Sequence, residues 1–233
     1  MTGEATPKQL PLGLVHPPAL GRDDFLVHAG NEAAFALVER WPDWPAPNVV
    51  IVGPPRSGKS HLAAIWSAAA GAAIVAARDL AAAAVVALPE AVGLVVEDID
   101  DPGVDEVALF HLLNLARERE MALLMTSRVE PAALPLGIAD LGSRLRAATP
   151  VALAEPDEEF LRRLLVKLFA DRQLSVEPQV IDYIVLRMER SPDAASRIVE
   201  LLDAEALAAR RRITRPMASA VLAGLTGEAP PED

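Results

Sequence analysis

Residues 53–60 read Gly-Pro-Pro-Arg-Ser-Gly-Lys-Ser, and no other stretch restricts the fold of this chain so tightly. They stand between Asn48–Val52 (NVVIV), a short unbroken run rich in β-branched residues, and His61–Ala70, a run of good helix formers. An apolar run of that kind suits a strand covered on both faces. A GxxxxGK[ST] loop leading from such a strand into a helix is a phosphate cradle: Gly53 and Gly58 let the backbone curl until its N–H groups face phosphate oxygens, and the helix N-terminus adds positive potential. The candidate nucleotide contacts are therefore Gly53, Pro54, Pro55, Arg56, Ser57, Gly58, Lys59, Ser60 and His61. Lys59 is expected to reach the β- and γ-phosphates, and the Ser60 hydroxyl to ligate Mg²⁺. A plain glycine turn is the competing reading.

Further strands and helices alternate with this unit. A strand is expected over 73–76 and a helix over 79–88, followed by the apolar run Val92–Val96, which ends in Glu97-Asp98-Ile99-Asp100-Asp101. Carboxylates at the end of a buried strand, beside a phosphate loop, suit metal binding through Glu97 and water orientation through Asp98. Simple solvation of the strand end is the alternative. After a helix over 107–120, the strand 122–125 closes in Thr126-Ser127-Arg128, where a polar side chain is placed to sense a γ-phosphate, with an ordinary polar strand end as the alternative. Four apolar strands separated by helices predict an α/β fold with a parallel sheet and its ligand at the strands' carboxyl ends. Beyond residue 153 only helical periodicity remains. Faces built on Phe160–Phe169 and Val180–Met188, a Ser191-Pro192-Asp193 helix start and the run PMASAVLAGL predict four amphipathic helices, a small all-α lid.

The expected division is a tail at 1–20, the α/β domain at 21–153, the lid at 154–227 and an acidic tail at 228–233. Composition fits: 233 residues with 52% hydrophobic content supply a core, and 4% aromatics leave it to Ala, Val and Leu. The absence of cysteine excludes disulfides and thiolate chemistry and fits a reducing, cytoplasmic setting. No segment reads as a signal or membrane span. A net charge of −11 argues against strong direct DNA binding by the chain as a whole.

A phosphate-loop α/β domain followed by a helical lid resembles the AAA+ ATPases. GRDDFLVHAGNEAAF (21–35), GPPRSGKSHL, VVEDID, MTSR, DLGSRL (140–145) and RRITRPMASAVL resemble, more narrowly, the DnaA-homologous Hda family of replication regulators. The resemblance runs to about Leu225. It stops short of the DNA-binding helix-turn-helix that follows the lid in DnaA.

What the resemblance implies goes beyond the residues' own pattern. QLPLGL, with Gln9, Leu10, Leu12 and Leu14, looks like the family's motif for the sliding clamp, the β subunit of DNA polymerase III. A peptide of this kind buries its leucines only when it meets a groove; folding back on its own domain is the alternative. Arg144 in the SRL motif matches the finger that projects toward a neighbour's nucleotide, here ATP on DnaA, where it would promote hydrolysis and turn the initiator off. A local salt bridge is its plainer reading. Phe25 and Val27 match the segment that packs against adenine, with core packing as the alternative. The implied cofactors are ADP or ATP with Mg²⁺; the implied partners are the clamp, DnaA and, through head-to-tail contact at Arg144, a second copy of this chain.

The sequence also departs from the family. Glu97 replaces the usual aspartate, Arg128 stands where an acidic or amide sensor is common, and Asp193 falls where a phosphate-touching lid arginine is expected. Arg197 is taken as the substitute, ahead of Arg190. These departures favour a nucleotide held as a structural ligand over fast turnover. A self-contained ATPase of helicase-loader type and a nucleotide-independent clamp adaptor remain as rival readings.

Overall fold

The computed structural model describes residues 20–86 and 91–226. Gln9, Leu10, Leu12, Leu14 and the acidic tail at 228–233 lie outside the described residues. Five parallel strands form one sheet: β1 (Asn48–Val52), β2 (Ala73–Ala76), β3 (Gly93–Glu97), β4 (Ala122–Ser127) and β5 (Thr149–Ala152), in the order β2-β3-β4-β1-β5. The order places β1 between β4 and β5, so the loop after β1 opens beside the ends of both.

Alternation along β1 assigns its residues to two cores. Val49 and Ile51 join Leu62, Ala63 and Trp66 of α2 (Lys59–Ala70), with α1 (Glu32–Glu39) beyond. Val50 and Val52 face the other layer, where Leu109 and Leu112 of α4 (Glu106–Glu118) meet Leu141 and Leu145 of α5 (Ala139–Arg146). Both faces of the sheet are thus covered, which is why its central strands read as unbroken apolar runs. Trp41 and Trp44 pack on Trp66, and the Trp44 indole donates to the Leu37 carbonyl at 2.8 Å.

Three expectations need revision. A fifth strand, β5, joins the four read from the sequence; its TPVA is interrupted by Pro150 and only alternately exposed, so it lacks an apolar run. The helix expected over 79–88 is split into a 3₁₀ turn at Ala77–Asp79 and the short α3 (Ala82–Val86), with Leu80 extended between them. Thr126 and Ser127 belong to β4 itself, where main-chain pairing with β1 continues to Val52↔Ser127.

The remaining helices are α6 (Glu158–Asp171), α7 (Pro178–Val185), α8 (Pro192–Ala209) and α9 (Arg215–Thr226), which enclose a separate core around Leu161, Ile184, Ile198 and Leu202. Asp157 and Ser191 cap α6 and α8 by accepting from the Phe160 and Ala194 N–H groups. Among the described residues no helix is long and apolar enough to cross a membrane.

Candidate functional site

The loop between β1 and α2 is tied at its start, where the Gly53 N–H donates to the Ser127 carbonyl at 3.0 Å. A Cβ at Gly53 would stand 2.8 Å from both the Leu153 carbonyl oxygen and Ser57 Oγ, so only glycine lets the loop pass so close to β5. The turn into α2 runs through two left-handed residues, Arg56 (φ 60°) and Gly58 (φ 98°). This curls the chain around the amino end of a twelve-residue helix. Lys59 lies inside the curl, only 7% exposed, its Nζ donating to the Gly53 and Pro54 carbonyls at 2.8 and 2.7 Å. Burial pushes the ammonium's pKa down; Asp98 and Asp100 pull it back up, Arg128 lowers it further, and Glu97 adds a smaller upward pull.

Ser57 is buried, and its Oγ has no hydrogen-bond partner among the described residues. Buried hydroxyls are normally paired. One left unpaired inside a cradle of N–H donors fits a phosphate oxygen, so the residues present suit a nucleotide's phosphates. For Mg²⁺ the available oxygens are the exposed Ser60 hydroxyl and the half-buried Glu97 carboxylate. No three His, Cys, Asp or Glu side chains converge on a metal position among the described residues. That donor set suits Mg²⁺ sharing phosphate and water ligands, and not a cage made by protein alone.

Beyond Glu97 the chain turns through Asp98, exposed and left-handed at φ 55°. Its N–H donates to Thr126 Oγ1 at 2.9 Å, while the Ile99 N–H donates to the Thr126 carbonyl. Thr126 therefore sets the position of Asp98. Ser127 is fully buried and its hydroxyl donates to the Val129 carbonyl at 2.6 Å. Arg128 grips Asp100 through its N–H (3.0 Å) and Nε (2.7 Å). Burial alone would raise the Asp100 carboxyl pKa, but the hydrogen bonds and charge of Arg128 outweigh it and hold the group below its usual range.

On the flank of the cradle, Phe25 stacks on Phe35 with ring centres 5.4 Å apart and meets the edge of His61 at 5.1 Å. Its ring comes within 3.3 Å of where a Gly58 Cβ would be, so it closes the loop's flank. His61 Nε2 lies 2.9 Å from the Gly21 carbonyl, and Val27 is 44% exposed. Buried Asn31 braces this segment, accepting from the His28 N–H and donating to the Leu26 carbonyl. Leu26 packs on the lid core and the His28 ring on Phe160, so residues 25–28 join the two domains.

Across the cradle the lid contributes charge. Arg56 is ion-paired with Glu189, 133 residues away. Arg190 is committed to Glu158 at 2.7 Å. Arg197 has no ion pair among the described residues and lines, with Arg56, Arg187, Glu189, Ser191 and Asp193, a cleft of about 380 Å³ between loop and lid. That volume falls within the range of ordinary small-molecule clefts. Nothing local in the sequence signals Glu189 or Arg187, whose place here depends on lid packing. The Arg128–Asp100 pair is equally unsignalled, although both residues stand at strand ends beside the loop.

Arg144 is not part of this constellation. It lies on α5, 24% exposed, 3.3 Å from Asp140 and with its guanidinium 5.2 Å from the Phe110 ring centre. It lines a hollow with Pro47, Asn48 and Met121, at the amino ends of β1 and β4. The cradle stands at their carboxyl ends.

Residues 157–222 match the family model of the Hda lid domain. Among solved structures, domain III of the Thermotoga maritima replication initiation protein DnaA superposes with a TM-score of 0.70 at 17% identity, covering 89% of this chain and 97% of that one. AMPPCP-bound DnaA from Aquifex aeolicus gives 0.64 at 19% identity, over 80% of this chain and 66% of that one. The Thermotoga maritima RuvB Holliday junction branch migration motor gives 0.65 at 16% identity, over 88% and 72%. At these identities the likeness establishes the AAA+ fold. No curated protein matches the sequence.

Proposed function

We propose that this chain, a DnaA-homologous AAA+ protein of the Hda type, restrains replication initiation by acting on DnaA that carries ATP. An adenine nucleotide, ADP in the resting protein, is held with Mg²⁺ between cradle and lid. Phe25 and Val27 flank the base, Lys59 and the loop N–H groups take the phosphates, Ser60 and Glu97 take the metal, and Arg197 reaches in from the lid. The likeness to a DnaA solved with AMPPCP supports this assignment. Gln9, Leu10, Leu12 and Leu14 anchor the chain on the sliding clamp, and Arg144 is delivered to DnaA's nucleotide.

The observation that carries the reading is the separation of Arg144 from its own cradle. The five residues of β1 lie between them, about 16 Å at strand rise. An arginine so placed serves a neighbour's nucleotide and not its own. A donor at one end of the sheet and an acceptor at the other also suit heterologous, head-to-tail contact, with DnaA or with a second copy. The chain's own turnover is weak in this account, because Asp98 is exposed and both candidate sensor hydroxyls, Thr126 and Ser127, are hydrogen-bonded within the protein.

Single-turnover hydrolysis of ATP bound to DnaA, with DNA-loaded clamp, tests this. Arg144→Ala should lose most of the stimulation, on the order of 10³-fold for a finger. A Gln9→Ala/Leu10→Ala variant should lose it at low protein concentration and recover it at high concentration. Full stimulation by Arg144→Ala would remove the finger from the mechanism.

A further inference from the structure

The lid carries a concentration of cations with no carboxylate partner among the described residues, and of these Arg187 and Arg197 also line the cleft between loop and lid. Many arginines of the described residues sit beside a carboxylate, among them Arg22, Arg56, Arg128, Arg144, Arg162 and Arg190. Arg187, Arg210, Arg211, Arg212 and Arg215 do not: all are exposed, and none lies within 4 Å of a carboxylate among the described residues. Instead, the Arg187 and Arg215 guanidiniums lie 4.0 and 4.8 Å from the ring centre of Tyr183, and Arg212 lines the same hollow between α7 and the start of α9. A guanidinium resting on an aromatic ring is oriented while keeping most of its donors, and Arg187 spends one on the Tyr183 carbonyl at 3.4 Å.

Helix electrostatics explains only part of this. Arg210 ends α8, where a cation is favourable, but it does so at φ 51°, a position that glycine fills at lower cost. Arg215 opens α9, where the dipole disfavours a cation. The two carboxylates of the hollow do not neutralise it: Asp182 is bonded to Arg162 at 2.8 Å, and Glu177 pairs with none of these arginines.

We infer that this lid surface binds the phosphate backbone of duplex DNA, despite the chain's net charge of −11. Unpaired, exposed, fork-shaped donors in a cluster are suited to phosphate oxygens. Duplex is favoured over single strand because the aromatic of the hollow, Tyr183, is already covered by guanidinium, and single-strand sites rely on open rings on which bases stack. The surface reads no sequence, since phosphate contacts position without specifying. It complements the clamp anchor by holding the lid against DNA, and it stands independently of the arginine-finger reading.

The test is fluorescence anisotropy of a short labelled duplex with the full chain, titrated between about 50 and 200 mM salt. Contacts from Arg210, Arg211, Arg212 and Arg215 predict a slope of log K on log salt of about −3.6, and each arginine replaced by Gln should flatten it by about 0.9. The fourfold Gln variant should lose at least tenfold in affinity at the lowest salt while keeping its circular dichroism spectrum and its ADP affinity. Unchanged duplex binding by that variant overturns the proposal. Preference for single-stranded competitor, or displacement by poly-glutamate as effective as by unlabelled duplex, overturns it in favour of a single-strand or acidic-protein site.

Discussion

Lys59 is drawn into its own loop by two carbonyls, and Ser57 is buried beside it with no hydrogen-bond partner among the described residues; on the proposed reading both meet their requirements when phosphate oxygens enter the curl. Lys59→Ala is therefore expected to weaken ADP binding by at least a hundredfold, as read by calorimetry, whereas Ser60→Ala should lower affinity mainly in the presence of Mg²⁺. His28 reports on a different junction. Burial against Phe160 lowers its pKa, with Asp157 opposing. The folded state therefore binds fewer protons than the unfolded one as pH falls below about 6.5, the ordinary histidine value. This contribution to stability is intact above that pH and is lost on acidification toward the lowered folded pKa. Melting between pH 8 and pH 5 should show a decline that His28→Gln reduces; an identical decline in both proteins would assign it to other groups.

Among the elements, α8 supplies much of the lid side of the cleft. Ser191 caps it and lines the cleft, Arg197 projects from its second turn into the same cleft, and Ile198 and Leu202 hold it in the lid core. Ser191→Ala should cost about 1 kcal/mol by urea unfolding, while Ser191→Asp, which keeps an acceptor, should cost little. Arg197→Ala should leave stability nearly unchanged and still lower ADP affinity, because the side chain has no ion pair to lose among the described residues. Equal loss of stability in both variants would show that Arg197 is structural. The sheet's central strands, with α2 and the four lid helices, were legible from apolar runs, caps and 3.6-residue periodicity. β5 and the break at Leu80 were not, because a strand with Pro150 and alternate burial shows neither signal and because Ala-rich sequence does not mark where a helix stops.

For the whole molecule, the cleft between loop and lid belongs to neither domain alone. Cradle and lid meet through Arg56 with Glu189, Leu26 on the lid core and His28 on Phe160. A ligand spanning that junction stabilises both halves together. ADP at a hundred times its dissociation constant should add about 2.7 kcal/mol to unfolding as one cooperative transition. A shift confined to one of two resolved transitions would mean that the nucleotide touches only the cradle.

The chain's order of strand, glycine loop and helix, its acidic strand end and its four amphipathic helices are local patterns, and they sufficed to read the strand-loop-helix unit around residues 53–60 and the helices that follow residue 153. Local sequence carries such information because backbone curl and helix faces depend on residues a few positions apart. The partners of those residues did not emerge that way. That Arg56 meets Glu189, that Arg128 meets Asp100, that Arg144 faces away from its own cradle and that Arg187 and Arg215 both rest on Tyr183 depend on strand order and lid packing. Contacts between residues distant in sequence are decided by how layers stack, and only the tertiary structure contains that stacking.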